Sequence, residues 1–118
     1  MSVTIFHNPQ CSKSRGALAI LKERQVAHDV VEYLKAPPDR ATLGRILTLL
    51  GGPPGALVRR DGRYKELGLG EADHATREQV VELLVRHPEL MERPVVVAGD
   101  RAVIGRPPER IEELLGDD

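Results

Sequence analysis

The 118-residue chain has a single cysteine, Cys11. No intrachain disulfide can form, and "CSKS" puts Ser14 where a Cys-x-x-Cys motif would carry its second thiol. Redox chemistry at Cys11 would have to take its resolving thiol from another molecule. An excess of one charge is missing too: 17 basic and 18 acidic side chains intermix to a formal net charge of -1. That balance gives no broad field for nucleic acid or an anionic membrane surface, so any bound anion must be held locally. No apolar run approaches the ~20 residues of a membrane span, and "MSVTIFHNPQ" has neither the basic region nor the apolar stretch of a secretion signal. A cytoplasmic protein with neither nucleic-acid nor membrane partner is expected. Nothing repeats and no segment is low in complexity, so one domain over residues 1–118 is expected, burying roughly two thirds of its unfolded surface in one core.

Metal-ligand spacing is also lacking. His7 and Cys11 supply two ligands, while His28, His74 and His87 are scattered without a zinc-type pair, so no metal is expected. A cysteine-phosphatase loop needs Cys-x5-Arg to wrap an oxyanion, and the sixth residue after Cys11 is Ala17. "GLGEAD" lacks the third glycine of a nucleotide-binding loop and follows no strand.

What is present is an alternation of short elements. "VTIF", Val3 to Phe6, is β-branched and aromatic and ends at the turn-forming "NP". Ser12 to Arg24 reads as a helix with Ala17, Leu18 and Leu21 inward, and "HDVVEYL" as a second strand. After "PPDR" a helix is expected with Leu43, Ile46, Leu47 and Leu50 on one face and Asp39 as its N-cap. "GGPPG" ends it and opens an irregular stretch to about Ala75. "TREQ" is a capping box, Thr76 with Gln79, for a helix through Val80, Leu83 and Leu84 that stops before Pro88. "RPVVVAGDRAVIGRP" reads as a hairpin turning at Gly99-Asp100, and Pro107 to Leu115 as a last helix burying Ile111, Leu114 and Leu115. The order β-α-β, helices, β-β-α predicts an α/β thioredoxin-like, glutaredoxin-like domain with a mixed four-stranded sheet and a helical insertion.

Cys11 falls at the start of the first helix, among Gln10, Ser12, Lys13, Ser14 and Arg15, which is the setting of a reactive thiol and not of a buried structural one. An unperturbed thiol with a pKa near 8.5 is only about 3% ionised at pH 7, and a fall of two units raises this to roughly three quarters. The free N–H groups of the first helical turn favour an anion, and Lys13, Arg15 or an arginine distant in sequence could add a full charge. Two readings of His7 stand: a donor to the thiolate or brace for its loop, or a solvated loop histidine. Ser14 reads as a helix-start hydroxyl on backbone, or as a substrate contact.

The combination "HNP", "CSKSR", "RPVVV" and "GRPPER" resembles the glutaredoxin-linked arsenate reductase family over essentially the whole chain, Val3 to Leu115. The resemblance implies that a cysteine thiolate attacks arsenate, glutathione joins the adduct, and a glutaredoxin thiol completes the reduction to arsenite. No bound cofactor is implied, and glutathione is a co-substrate. Position by position, Cys11 would be the nucleophile, with His7 and Ser14 lowering or steering its charge, and Arg59, Arg93 and Arg106 would surround the oxyanion. Guanidinium donors suit that task because they offset the charges of thiolate and oxyanion together. Arg93 also precedes Pro94, and the thioredoxin fold places a cis-proline facing the reactive cysteine. The segment between Arg59 and "LGL" is about one residue shorter than the family pattern, which makes Arg60 a second candidate for the role of Arg59. Two other activities fit the scaffold: a glutathione-dependent thiol-disulfide reductase, and a redox regulator binding RNA polymerase. Ser14 argues against the regulator, which switches through a Cys-x-x-Cys.

Overall fold

The computed structural model describes residues 2–115, and the chain divides into two compact units: Met1–Ala36 with Arg93–Asp118, and Pro37–Glu92. Among the described residues no helix is long and apolar enough to cross a membrane.

The first unit is built on a four-stranded sheet. Strand β1 spans Val3–His7, helix α1 Ser12–Glu23, and strand β2 Asp29–Glu32. Strands β3, Val95–Ala98, and β4, Arg101–Ile104, complete the sheet in the order β2-β1-β3-β4. β1 runs parallel to β2, with Ile5 opposite Val30, and antiparallel to β3, with Ile5 opposite Val96. The β3–β4 turn is the expected two-residue one. Ala98 pairs with Arg101, and Gly99 sits at φ 62°, the left-handed region that tight hairpins require and glycine enters freely.

Side chains alternate across a strand, so Val3 and Ile5 share a face of β1. With Val96, Ala98 and Val103 they pack against Ala17 and Leu21 of α1 and against Ile111 and Leu114. Leu18 and Leu115 are only partly buried at the margin of this cluster. The C-terminal segment is a 3-10 turn over Pro108–Ile111 followed by a short α-helix over Glu112–Leu115, in place of one continuous helix. The period-2 rule also puts His7 on the face of Ile5, the side on which α1 lies.

In the second unit, helix α2 spans Arg40–Leu50 and is capped as expected, the Asp39 carboxylate accepting from Thr42 N at 2.8 Å. The Thr76–Gln79 capping box opens an α-helix over Arg77–Arg86, which packs against α2. Leu43, Ile46, Leu47, Val80 and Leu84 are buried, while Arg40 forks onto Glu82 with Nε 2.6 Å from Oε1 and Nη2 3.0 Å from Oε2. The stretch expected to be irregular has local order: a 3-10 turn at Pro54–Leu57, an α-helix at Gly62–Glu66 and a 3-10 turn at Glu71–His74. Local caps produce them. Pro54 presets the first turn, Asp61 accepts from Tyr64 N at 3.2 Å, and Asp73 accepts from Gly70 N at 2.8 Å. An isolated bridge between Val58 and Met91 closes the unit, with Arg59 N donating to Leu90 O and Glu92 N to Leu57 O.

Candidate active site

The loop between β1 and the first helix is shaped by Asn8. Its Oδ1 accepts from Gln10 N at 2.9 Å, its carbonyl accepts from Cys11 N at 3.0 Å, and its own N–H donates to Ser14 Oγ at 3.0 Å. Arg15 ties the loop from the helix side, Nη1 donating to Pro9 O at 2.9 Å. Cys11 is thereby fixed as the N-cap of α1, in extended backbone at φ -98°, ψ 123°, with its carbonyl accepting the first helical bond from Arg15 N. No side chain caps this helix, and no acidic residue lies in its first turn. The Cys11 sulfur occupies the position a capping oxygen would take.

Burial raises the cost of ionising this thiol. Once ionised, the sulfur is favoured by the backbone N–H groups of Ser14 and Lys13 and by the charge and N–H donors of the Arg93 guanidinium, which together outweigh burial and hold the Cys11 pKa below its ordinary value. Arg93 is distant in sequence and brought here by the sheet, since it lies two residues before β3. Only 6% exposed, it keeps Nε and Nη1 buried without a hydrogen-bond partner among the described residues. A buried guanidinium with two idle donors beside a thiol is unfinished as a structural element, because unmet buried donors of a charged group cost more than about 1–3 kcal/mol.

His7 is no solvated loop residue. It is 5% exposed at the end of β1, and its Nδ1 lies 2.6 Å from Oγ of the fully buried Ser14. Burial lowers its pKa, the charges of Arg15 and Lys22 lower it further, and the opposing influences of Glu32 and Ser14 do not reverse the direction. His7 is thus neutral at neutral pH, and it reaches the Cys11 loop through Ser14, whose hydroxyl also accepts from Asn8 N. Arg106 is half-buried and donates through Nη1 to the Arg93 carbonyl at 3.2 Å. Cys11, Ser14, His7, Arg93 and Arg106 therefore form one linked set in the first unit.

Arg59 and Arg60 belong to the second unit. Arg59 is half-buried and pairs with Asp61, Nη1 to Oδ2 at 3.1 Å, while the other oxygen of Asp61 caps Gly62–Glu66. Arg60 is exposed, its Nε 3.6 Å from Glu71 Oε1. Of the remaining histidines, His28 bonds Val26 O, His74 bonds the Tyr64 hydroxyl at 2.8 Å, and His87 lies 3.3 Å from Glu89. Among the described residues no group of three or more His, Cys, Asp or Glu is placed to hold a metal. Sequence reasoning missed Asn8 and Asp61 as organisers of the Cys11 loop and of Arg59. The turn signals "NP" and "DG" were the available clues.

A mixed four-stranded sheet with an activated thiol at the N-terminus of the helix after the first strand, faced by the Arg93-Pro94 segment, whose peptide bond is cis, defines a thioredoxin-like fold. The chain belongs to the ArsC family, whose profile matches residues 6–114. It is 47% identical over 116 residues to the uncharacterized protein YfgD of Escherichia coli K12, covering 97% of each chain. It is 44% identical over 115 residues to a protein named arsenate reductase in Neisseria meningitidis, covering 96% of this chain and 97% of that one. The structure titled arsenate reductase from Vibrio cholerae superposes with a TM-score of 0.87 at 40% identity, covering 96% of this chain and 97% of that one.

Proposed function

We propose that this protein is an arsenate reductase in which Cys11 is the nucleophile and glutathione and a glutaredoxin supply the electrons. The observation that carries the reading is Arg93, buried beside Cys11 with Nε and Nη1 unpartnered. Two unit charges of like sign about 4 Å apart repel by about 4 kcal/mol at a surface-like effective dielectric, so an oxyanion cannot approach a thiolate without cationic donors at hand. Arg93 answers both needs, favouring the thiolate through its charge and offering free N–H groups to an oxygen. Arg106, which donates to the Arg93 carbonyl, adds a second guanidinium, and the family resemblance makes Arg59 the third candidate.

In this reading the Cys11 thiolate attacks arsenic and one arsenate oxygen leaves as water after protonation. Glutathione displaces a second oxygen in the same way. A glutaredoxin thiol then attacks the glutathione sulfur: the two thiols become one disulfide, and their two electrons reduce As(V) to As(III). Water releases arsenite and restores the Cys11 thiol. Neutral His7 and Ser14 act as positioning residues that brace the loop. The names of the relatives support the substrate, and the single thiol supports the external donors.

The test is NADPH consumption by the purified protein with glutathione reductase, glutathione and glutaredoxin. Turnover that requires arsenate and disappears in Cys11→Ser is expected. Absence of arsenate-dependent turnover in the wild-type protein would reject the assignment.

A further inference from the structure

The segments bearing Arg93 and Arg106 flank the β3–β4 hairpin, whose last ladder pair is Val95 with Ile104. Beyond that pair the strands stay in contact. Gly105 N donates to Pro94 O at 2.8 Å, and Arg106 Nη1 donates to Arg93 O at 3.2 Å. A Cβ on residue 105 would lie 2.9 Å from Pro94 Cγ and 3.1 Å from Ile111 Cγ2. Neither neighbour can swing away: Pro94 is a rigid, buried ring and Ile111 is 0% exposed in the core. The glycine lets the backbone preceding one arginine lie directly against the residue following the other.

We propose that Gly105 is a positioning residue for the anion site, setting the spacing of Arg93 and Arg106 by its lack of a side chain. Any larger residue at 105 displaces Pro94, and Arg93, peptide-bonded to Pro94, shifts with it from its place beside Cys11. The substrate readout of this inference rests on the proposed function, whereas the thiol readout does not.

Gly105→Ala in the full-length chain is the test, with three measurements: thermal melting, iodoacetamide alkylation of Cys11 against pH, and kcat/KM for arsenate in the coupled assay. The alkylation inflection is expected to move by about half a unit or more as the guanidinium leaves its place beside the thiol. kcat/KM should fall roughly tenfold or more, since sub-ångström to ångström displacements of positioned groups act on that scale. A lowered melting temperature with an unshifted inflection and unchanged kcat/KM would make Gly105 a packing residue only and overturn the proposal. If the wild-type protein reduces no arsenate, the proposed function fails and the alkylation profile alone decides the role of Gly105. If Gly105→Ala does not melt cooperatively, Gly105→Ala/Ile111→Ala removes the 3.1 Å contact and leaves the one with Pro94. A cooperative melt with a shifted inflection in the double variant supports the proposal. Loss of cooperativity there but not in Ile111→Ala alone overturns it, because the glycine would then serve the whole fold and not the arginine pair.

Discussion

His7 Nδ1 and Ser14 Oγ are 2.6 Å apart, joining the last residue of β1 to the first turn of the helix that carries Cys11 at its cap. The hydroxyl also accepts from Asn8 N, so one buried oxygen serves both ends of the loop. Ser14→Ala leaves the part-buried Asn8 N–H and the buried His7 ring nitrogen without this partner, and about 1–3 kcal/mol of stability should be lost. The backbone N–H of Ser14, which favours the thiolate, survives that substitution. The alkylation inflection of Cys11 in Ser14→Ala should therefore shift less than in Arg93→Ala, and chemical denaturation together with alkylation profiles checks both statements.

The lowered pKa of His7 has a sign that can be worked through. Its folded-state pKa lies below the unfolded value near 6.5, so the unfolded chain binds the extra proton first as pH falls. Stability from this group is fully present above pH 6.5 and is lost as pH falls from there through the lowered folded value. Melting temperature should drop on acidification from neutrality in the wild-type protein and drop less steeply in His7→Gln. Equal slopes for the two proteins would show that His7 titrates freely in the fold.

Cys11 should alkylate with an inflection below that of an ordinary thiol, and Arg93→Ala should move it upward, because both the charge and the hydrogen bond of the guanidinium are removed. The same substitution should reduce kcat/KM for arsenate by roughly 1.5–3 kcal/mol, the scale of a charged hydrogen bond. An unchanged inflection in Arg93→Ala would detach this arginine from the thiol.

Arg59 and Arg60 can be separated by paired substitutions. Arg59 is half-buried and held by Asp61, so Arg59→Ala should lower kcat/KM for arsenate by roughly 1.5–3 kcal/mol, while Arg60→Ala should have the smaller effect. The opposite ranking would shift the assignment by one residue.

The source of electrons is a separate question. With one cysteine the oxidised protein cannot close an internal disulfide, so in the proposed route each cycle should pass through a covalent species between Cys11 and arsenic or an outside thiol. Thioredoxin alone should support little turnover, and glutathione with glutaredoxin should restore it. Intact-mass measurement after quenching with arsenate and glutathione should show an adduct that reductant removes and that Cys11→Ser lacks. Multiple turnovers on thioredoxin alone, at rates matching the glutathione system, would refute this route.

The parts of the fold that were legible in the sequence are those where a local signal and the tertiary structure agree. Asp39, the Thr76–Gln79 box and the Gly99-Asp100 turn each stand where their chemistry predicts. The stretch from Gly51 to Ala75 was not legible, because helical segments of four or five residues show less than two turns of periodicity. The site divides in the same way. Cys11 at a helix start follows from neighbouring residues, whereas an isolated arginine reads as surface charge until the sheet buries it. That is the history of Arg93. The His7–Ser14 bond crosses from a period-2 strand to a period-3.6 helix, and neither pattern alone brings residues seven apart together.

The arrangement of the sheet has a consequence for the order in which the protein comes into being. Strand β1 pairs with β3, which lies near the other end of the chain, and the guanidinium that favours the thiolate is delivered by that same distant segment. The intervening unit, Pro37–Glu92, is continuous in sequence and contains its own helix pairing, so it can be completed on an emerging chain before Arg93 has been made. Until β3 and β4 close onto β1, Cys11 has its neighbours in sequence but lacks the guanidinium, one of the influences that favour its thiolate. Part of what favours ionisation of the sole sulfhydryl thus waits on a meeting of the two ends of the chain.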